Sequence, residues 1–403
     1  MNLLAKRYYT QIITGFWSQR FAILALGVLS ALYFGTLGVA WAVTGEFTRW
    51  GGHFLQAIGV NVEQLGYLKL IKFAGSPLTR PDGVMVIAMF GGAFSSALLG
   101  QHFKLRVPTM RRAVQALVGG VIAGFGTRMA MGCNLAALFT GIPQFSVHAW
   151  MFTLGTIGGT YLGLKISMQP WVKGKPKLSN VSQIGDRAKS EYYRWQPYFG
   201  MLGIGLFAYY MLQHMGGSYP VNLSLATLFG FAFGFLIQKG QVCFTSAFRD
   251  LWLLGRPNVA KALVLGIAVQ TLITAVFLSK GMAPNVIWWA GPNALLGGVM
   301  FGVGIVIAGG CETGWMYRSV EGQLQFWIVG LGNVIGATLL TLAWDPIVYP
   351  SLVEPFSRID MVKQWGMPLA LGITALLLAA LYVWADWRQS TKEKQFSRRE
   401  GCA

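Results

Sequence analysis

Apolar residues in this chain gather into long runs separated by short polar stretches. A hydrocarbon layer of about 30 Å takes roughly 20 helical residues to cross. Runs of that order recur near residues 21–43, 84–101, 113–140, 149–164, 198–213, 222–238, 259–279, 292–317, 326–343 and 367–385. The pattern predicts ten membrane crossings and an all-α, polytopic fold. The first run reads as a span and not as a cleaved signal, because it has spanning length and no obvious small-residue cleavage site follows it.

Composition agrees with that pattern. The 403-residue chain is 54% apolar and 11% charged, where soluble proteins carry about a quarter of their residues charged. The net charge of +18 would suit a nucleic-acid partner if it formed a continuous face. Its distribution argues for membrane topology. With the N-terminus inside, most of the Lys and Arg fall in cytoplasmic segments: Lys104, Arg106, Arg111 and Arg112, the 165–194 loop, and the tail with Arg388, Lys392, Lys394, Arg398 and Arg399. That asymmetry predicts both termini cytoplasmic and no nucleic-acid partner. The 15 Trp and 14 Tyr suit rings seated at membrane interfaces. His53, His102, His148 and His214 are scattered, so no metal or other cofactor is expected. Four cysteines make no disulfide framework, and Cys402 lies in a tail expected to stay reduced.

Two stretches resemble each other: "GGVIAGFGTRMAMGCNLA" (119–136) and "GGVMFGVGIVIAGGCETGWMYR" (297–318). Aligning Cys133 with Cys311 superposes Gly119, Gly120, Gly124, Gly126 and Gly132 on Gly297, Gly298, Gly302, Gly304 and Gly310. "RPDGVMVIAMF" from Arg80 likewise resembles "RPNVAKALVLG" from Arg256. An internal duplication follows, with halves at 1–196 and 197–403. The predicted topology gives the matched segments opposite directions, hence an inverted repeat, an arrangement from which many transporters build a central pathway.

The thiol segments make poor ordinary helices, since each interior glycine costs roughly 1 kcal/mol relative to alanine. Gly132–Cys133–Asn134 and Gly310–Cys311–Glu312 predict helices interrupted within the membrane. Irregular backbone is tolerated at that depth only if protein-buried or lining a polar cavity. A third stretch, "QKGQVCFTSAFRDLW" (238–252), brings Cys243 and Arg249 to the cytoplasmic end of the sixth span. Its loose counterpart is "AWAVTGEFTRWGG" (40–52), with Phe47 and Arg49 set against Phe248 and Arg249.

A thiol in an apolar wall is uncharged and a weak donor. A row of them suits a soft sulfur or selenium anion, held loosely enough to be released. Taken alone, each buried cysteine has an ordinary explanation in packing. Glu312 is an ionisable group within a span, a functional candidate by default, and a candidate for proton coupling. Arg128 either attracts anions or pairs with Glu312. Arg249 and Asp250 suit a structural pair.

The stretches "GFGTRMAMGCNLAALFTGIPQFSVHAW", "QVCFTSAFRD", "AGGCETGWMYRSVEGQ", "AVTGEFTRWGG", "GSPLTRPDG" and "GLGNVIGAT" resemble the YeeE/YedE (TsuA/YedE) family, on its YedE branch, over nearly the whole chain. The resemblance implies an inner-membrane protein whose short, membrane-interrupted helices line an hourglass path. It also implies passage of an anion along cysteine thiols, which map to Cys133, Cys243 and Cys311. The YedE branch is associated with selenium metabolism and often accompanies a small sulfur-carrier-like protein, for which the basic loop 165–196 is a docking candidate.

The expectation is a permease, not an enzyme, for thiosulfate or a selenium compound. Its candidate pathway residues are Cys133, Cys243, Cys311, Gly132, Gly310, Asn134, Glu312, Arg128 and Arg249. The alternatives are a membrane thiol redox protein, which would want a Cys-x-x-Cys pair or two vicinal cysteines plus a quinone or haem site, neither visible in the sequence, and a membrane scaffold for a sulfur carrier.

Overall fold

The structure, a computed structural model, describes residues 9–173, 191–215 and 221–400. Regular structure in these residues is helical, and β pairing is confined to isolated bridges such as Arg106 with Gln323. The principal helices are α1 (Gln19–Leu37), α2 (Thr44–Ala57), α3 (Pro81–Leu99), α4 (Met110–Met129), α5 (Val147–Ser167), α6 (Glu191–Met215) and α7 (Val221–Gly240). They continue with α8 (Phe244–Leu254), α9 (Asn258–Ser279), α10 (Pro292–Ala308), α11 (Glu312–Val320), α12 (Leu324–Ala343) and α13 (Met361–Glu400). A short π-helix, Asn134–Phe139, stands between α4 and α5.

Local chemistry explains several boundaries. Pro81 and Pro292 open α3 and α10, where a missing N–H costs nothing. Gly38 and Gly255 close α1 and α8 with φ of 69° and 67°, a left-handed stop that glycine adopts without penalty. Gly366, with φ 76° and ψ 161°, kinks α13 just ahead of Pro368.

Among the described residues, eight helical stretches are long and apolar enough to cross a membrane, which makes this a polytopic membrane protein. The other two expected crossings are α5 and α6, with 21 and 25 residues. In α5 the glycines and threonines that lower its hydropathy are packing residues: Thr153, Gly155, Thr156, Gly159, Thr160 and Gly163 are all buried.

The helices pack by exchange. The series α1, α2, α3, α4, π-helix, α5 is answered by α7, α8, α9, α10, α11, α12, and contacts cross between the series in matched pairs. Thus α1 packs on α9 and α7 on α3, α4 on α12 and α10 on α5, while α3 carries α6 as α9 carries α13. At the centre α4 crosses α10. A Cβ on Gly126 would lie 2.6 Å from the Phe301 nitrogen and 2.7 Å from the Gly297 oxygen. A Cβ on Gly304 would lie 2.7 Å from the Gly119 oxygen. Early residues of one helix therefore meet late residues of the other, so α4 and α10 run antiparallel. The glycines that the sequence aligned, Gly119 with Gly297 and Gly126 with Gly304, meet crosswise, as a two-fold relation requires.

Such close approach has a physical reason. Lipid is as apolar as leucine, so helices in a membrane gain cohesion from tight van der Waals contact, which small residues permit. The α4–α10 crossing should respond accordingly. Gly126→Val is expected to destabilise the protein by about 1–3 kcal/mol, the usual cost of forcing extra carbons into a full interface. Gly158→Ala, where no atom lies within 4 Å of the new Cβ, should be neutral or slightly stabilising. Thermal unfolding of the purified protein in detergent, followed by size-exclusion chromatography, checks both.

Candidate functional site

Three helices stop in the same way, and a cysteine follows each stop. The residue two places before the cysteine takes a left-handed conformation: Met131 (φ 57°) before Cys133, Gln241 (φ 49°) before Cys243, and Gly309 (φ 85°) before Cys311. The next residue caps the finished helix in two cases, Gly132 N–H to the Thr127 carbonyl at 2.8 Å and Val242 N–H to that of Ile237 at 2.9 Å. The cysteine, in extended conformation, then occupies the cap position of the following helix. Its carbonyl accepts from that helix's first turn: Ala137 N–H at 2.7 Å, Ser246 N–H at 3.0 Å and Trp315 N–H at 2.8 Å. The interruptions expected near Gly132–Cys133 and Gly310–Cys311 are present. A third, which the sequence reading did not anticipate, precedes Cys243.

Gly132 and Gly310 are not the residues that turn the chain. Their role is space, since a Cβ on Gly132 would lie 2.9 Å from that of Ala137, and one on Gly310 would lie 3.0 Å from the Phe326 ring. Two non-glycine residues, Met131 and Gln241, carry the left-handed turns instead, a conformation that costs an L-residue about 1 kcal/mol or more.

All three thiols are buried, with 0%, 3% and 1% exposure for Cys133, Cys243 and Cys311. Cys243 Sγ and Cys311 Sγ are 3.8 Å apart, and Cys311 Sγ lies 3.3 Å from Thr313 Oγ1. Gly314 leaves room for this pair, since a Cβ there would sit 2.6 Å from Cys243 Sγ. Cys133 has no such sulfur partner, but the π-helix that follows it touches α11, the helix that follows Cys311.

Glu312 is buried, and both carboxylate oxygens are taken: Trp315 Nε1 donates to Oε2 at 2.5 Å and Asn333 Nδ2 to Oε1 at 2.6 Å. Its aligned counterpart Asn134 is equally buried, yet neither end of its amide has a partner. Arg128 donates through Nη2 to Thr44 Oγ1, and its Nε is unpartnered. Arg128 and Glu312 therefore do not form the direct pair that the sequence left open.

Arg249 pairs with its neighbour Asp250 at 2.9 Å, and both side chains are about a third exposed (34% and 27%). Its hydrogen bond is to that carboxylate and not to a thiol, and the pair lies midway along α8, not at a helix end. Near the thiols it is Arg318 that supplies positive charge, acting electrostatically on Cys243 and Cys311 and donating to the Gly309 carbonyl at 3.0 Å. The register of the shorter repeat also needs correction. With α2 starting at Thr44 and α8 at Phe244, Arg49 does match Arg249, but Val43 falls opposite Cys243 and Phe47 opposite Ala247. Thr44, Gly314, Trp315, Arg318 and Asn333 were not singled out by sequence reasoning, although all lie inside the quoted motifs. Cys402 and most of the loop 165–196, residues 174–190, lie outside the described residues.

A family model described as sulphur transport matches residues 3–162 and 239–401. The chain belongs to the sulphur-transport family. It is 50% identical over 390 residues to "Probable transporter YedE" of Salmonella typhimurium, covering 96% of this chain and 95% of that one. It is 49% identical over 393 residues to the Escherichia coli K12 protein of the same name, covering 95% and 94%. It is also 36% identical over 187 residues to "Thiosulfate transporter TsuA" of Spirochaeta thermophila, covering 42% of this chain and 56% of that one. These are transporters by name, and this sulphur-transport member is accordingly no enzyme. The two matched blocks contain all three cysteine breaks.

The sulfur geometry predicts selective cross-linking. Mild oxidation of the membrane-embedded protein with copper–phenanthroline should couple Cys243 to Cys311 and leave Cys133 a free thiol. Peptide mass spectrometry under non-reducing conditions reads the outcome. Coupling of Cys133 in preference would contradict the arrangement.

Proposed function

We propose that this protein is an inner-membrane permease that takes up a soft sulfur or selenium species, thiosulfate or a reduced selenium compound, past Cys133, Cys311 and Cys243. The observation that carries the reading is the threefold recurrence of one device, a helix break followed at once by a buried cysteine, with two of the sulfurs in contact. Both termini are cytoplasmic in this reading. The two halves, 1–196 and 197–403, face opposite ways, so the break at Cys133 opens from the periplasmic side and those at Cys243 and Cys311 from the cytoplasmic side.

The chemistry follows from what a thiol offers. An S–H is a weak, lightly hydrated donor and suits a polarizable sulfur or selenium atom better than a hard oxygen. Its weakness allows fast release, which conduction requires. The N-termini of α8 and α11 add positive potential beside Cys243 and Cys311. Relatives named as thiosulfate transporters support a substrate of this class. Gly132 and Gly310 let the broken segments pack, and Asn134 and Glu312 are the polar groups set next to the thiols. Arg249, bonded to its neighbour Asp250, is the charged group farther along α8 from Cys243. A sulfur-carrier protein docking at the loop 165–196 would receive the substrate on the cytoplasmic side.

A second reading, a membrane thiol redox protein, has one observation in its favour, the 3.8 Å approach of Cys243 to Cys311. A scaffold that recruits a sulfur carrier would leave the thiols dispensable. Uptake of labelled thiosulfate and labelled selenium compounds by cells carrying Cys133→Ala, Cys243→Ala or Cys311→Ala separates the three. The permease reading expects each variant to lose about tenfold or more, the effect of removing some 1.4 kcal/mol from the controlling step. Dependence on Cys243 and Cys311 alone favours redox chemistry. Uptake unchanged in all three variants defeats the thiol pathway.

A further inference from the structure

Helices α1 and α9 begin side by side. A Cβ on Gly27 would lie 2.5 Å from the Gly266 oxygen, and one on Gly35 would lie 2.5 Å from the Phe277 ring, so the two run in parallel. Helix α13 runs the other way, since Ala370 packs in one cluster with Ala275 and Asp386 pairs with Lys261. The starts of α1 and α9 and the later part of α13 therefore meet at one end of the molecule. Two hollows adjoin there. One is an apolar groove of about 460 Å³ between α9 and α13, walled by Ala268, Leu272, Leu371 and Leu378. The other is a polar pocket of about 350 Å³, walled by Ser18, Arg20, Asn258 and Lys261. Leu265 and Tyr382 line both, so the pocket stands at the head of the groove.

Dimensions and charge both bear on what fits. On α13 the groove runs from Leu371 to Val383, about 18 Å of helix, against the roughly 15 Å that one leaflet's hydrocarbon fills. In the pocket, Arg20 is exposed, and no described ion pair includes it. Lys261 lies 5.2 Å over the Tyr382 ring and pairs with Asp386, whose side chain is 60% exposed. An ion pair that open to solvent adds little stability and leaves the ammonium ready for a stronger anion. A second apolar groove, of about 730 Å³ between α3 and α6, has Phe94, Leu98, Phe103, Trp195 and Gln196 in its walls and no charged residue. A bare hydrocarbon chain satisfies that one. The α9–α13 groove ends at two cations, and its occupant needs an anionic head.

We propose that the groove and pocket together form a site for an anionic phospholipid, with an acyl chain along α9 and α13 and the phosphate between Arg20 and Lys261. The inference stands apart from the permease reading and holds whatever the protein carries. The Arg20 guanidinium offers a planar fork of N–H donors suited to phosphate oxygens, and Lys261 adds a point charge. The first turns of α1 and α9, whose N–H groups lack helical partners, lend further positive potential. The Ser18 hydroxyl lines the same wall. Gln19 lines the pocket and also donates to the Gln241 carbonyl at 3.4 Å. That bond joins the head-group site to the turn before Cys243.

The test is native mass spectrometry of the purified full chain, titrated with phosphatidylglycerol or with phosphatidylethanolamine of the same acyl chains. The wild-type protein should hold one phosphatidylglycerol more tightly than the zwitterionic lipid. Arg20→Gln and Lys261→Gln should each weaken phosphatidylglycerol about fivefold, the scale of one cation's attraction to an anionic lipid, and leave phosphatidylethanolamine unchanged. Asp386→Asn, which frees Lys261, should strengthen phosphatidylglycerol binding, and this gain carries the test should either cation variant fail to fold by size-exclusion chromatography. Leu272→Trp, which fills the groove, should weaken both lipids. A phosphatidylglycerol with a photoreactive group in its acyl chain should label α9 and α13. Equal affinity of the wild-type protein for the two lipids overturns the inference, as does a preference that survives loss of both cations. Labelling of α3 and α6 instead overturns it too. Displacement of the lipid by millimolar inorganic phosphate would assign the pocket to a soluble anion and defeat the lipid site.

Discussion

A backbone N–H left without a partner in hydrocarbon costs several kcal/mol, so a chain that crosses a bilayer is held to unbroken helix wherever it meets lipid. Among the described residues, helices break in the same way before Cys133, Cys243 and Cys311. Each departure is buried in protein, and each is closed locally by backbone bonds from the stopping helix and into the starting one. The rest of the architecture follows from keeping those interruptions away from lipid. The outer helices α6 and α13 lean on α3 and α9, while α4, α10, α5 and α12 wrap the broken segments closely enough that glycine is required at their contacts.

That wrapping joins sequence economy to function. A glycine face lets α4 meet α10 backbone to backbone, and the same two helices carry two of the breaks at their ends. Close packing and chain interruption thus occur together in each of two similar stretches of sequence. The two copies then diverge in chemistry. Where the second has Glu312, satisfied by Trp315 and Asn333, the first has Asn134 with an unsatisfied amide. Where the first has Arg128, the second has the apolar Val306 in the aligned position. Aligned stretches of similar backbone therefore carry a guanidinium in one and a carboxyl group in the other.

Much of this was legible in the sequence, because the determinants are local and repeated. Runs of spanning length marked the crossings, and aligned glycines marked the contacts between halves. Gly-Cys followed by a polar residue marked two of the breaks. The third break escaped notice because its turning residue is Gln241, and glutamine gives no hint of a left-handed turn. Met131 hides the same feature in the first half. The meeting of Cys243 with Cys311 depends on how α7 and α10 end in space, which no spacing encodes. Arg249 attracted attention as a charge in the stretch that follows Cys243, and its Nε is bonded to the neighbouring Asp250. Arg318, five residues beyond Thr313 on α11, is the cation whose charge acts on the sulfurs.

The reciprocal packing of the two series has a consequence for how the protein is made. Helix α4 leaves the ribosome long before α10 and α12, which supply its closest neighbours. Until they arrive, its glycine face and the break beyond it have lipid, or the insertion machinery, where protein should be. A half-finished chain is therefore no half-built transporter but an exposed intermediate with nothing to shield its polar backbone. Biogenesis must hold the first half open until the second has been threaded in. A ribosome that stalls between the halves would hand the membrane's quality-control proteases an easily distinguished target.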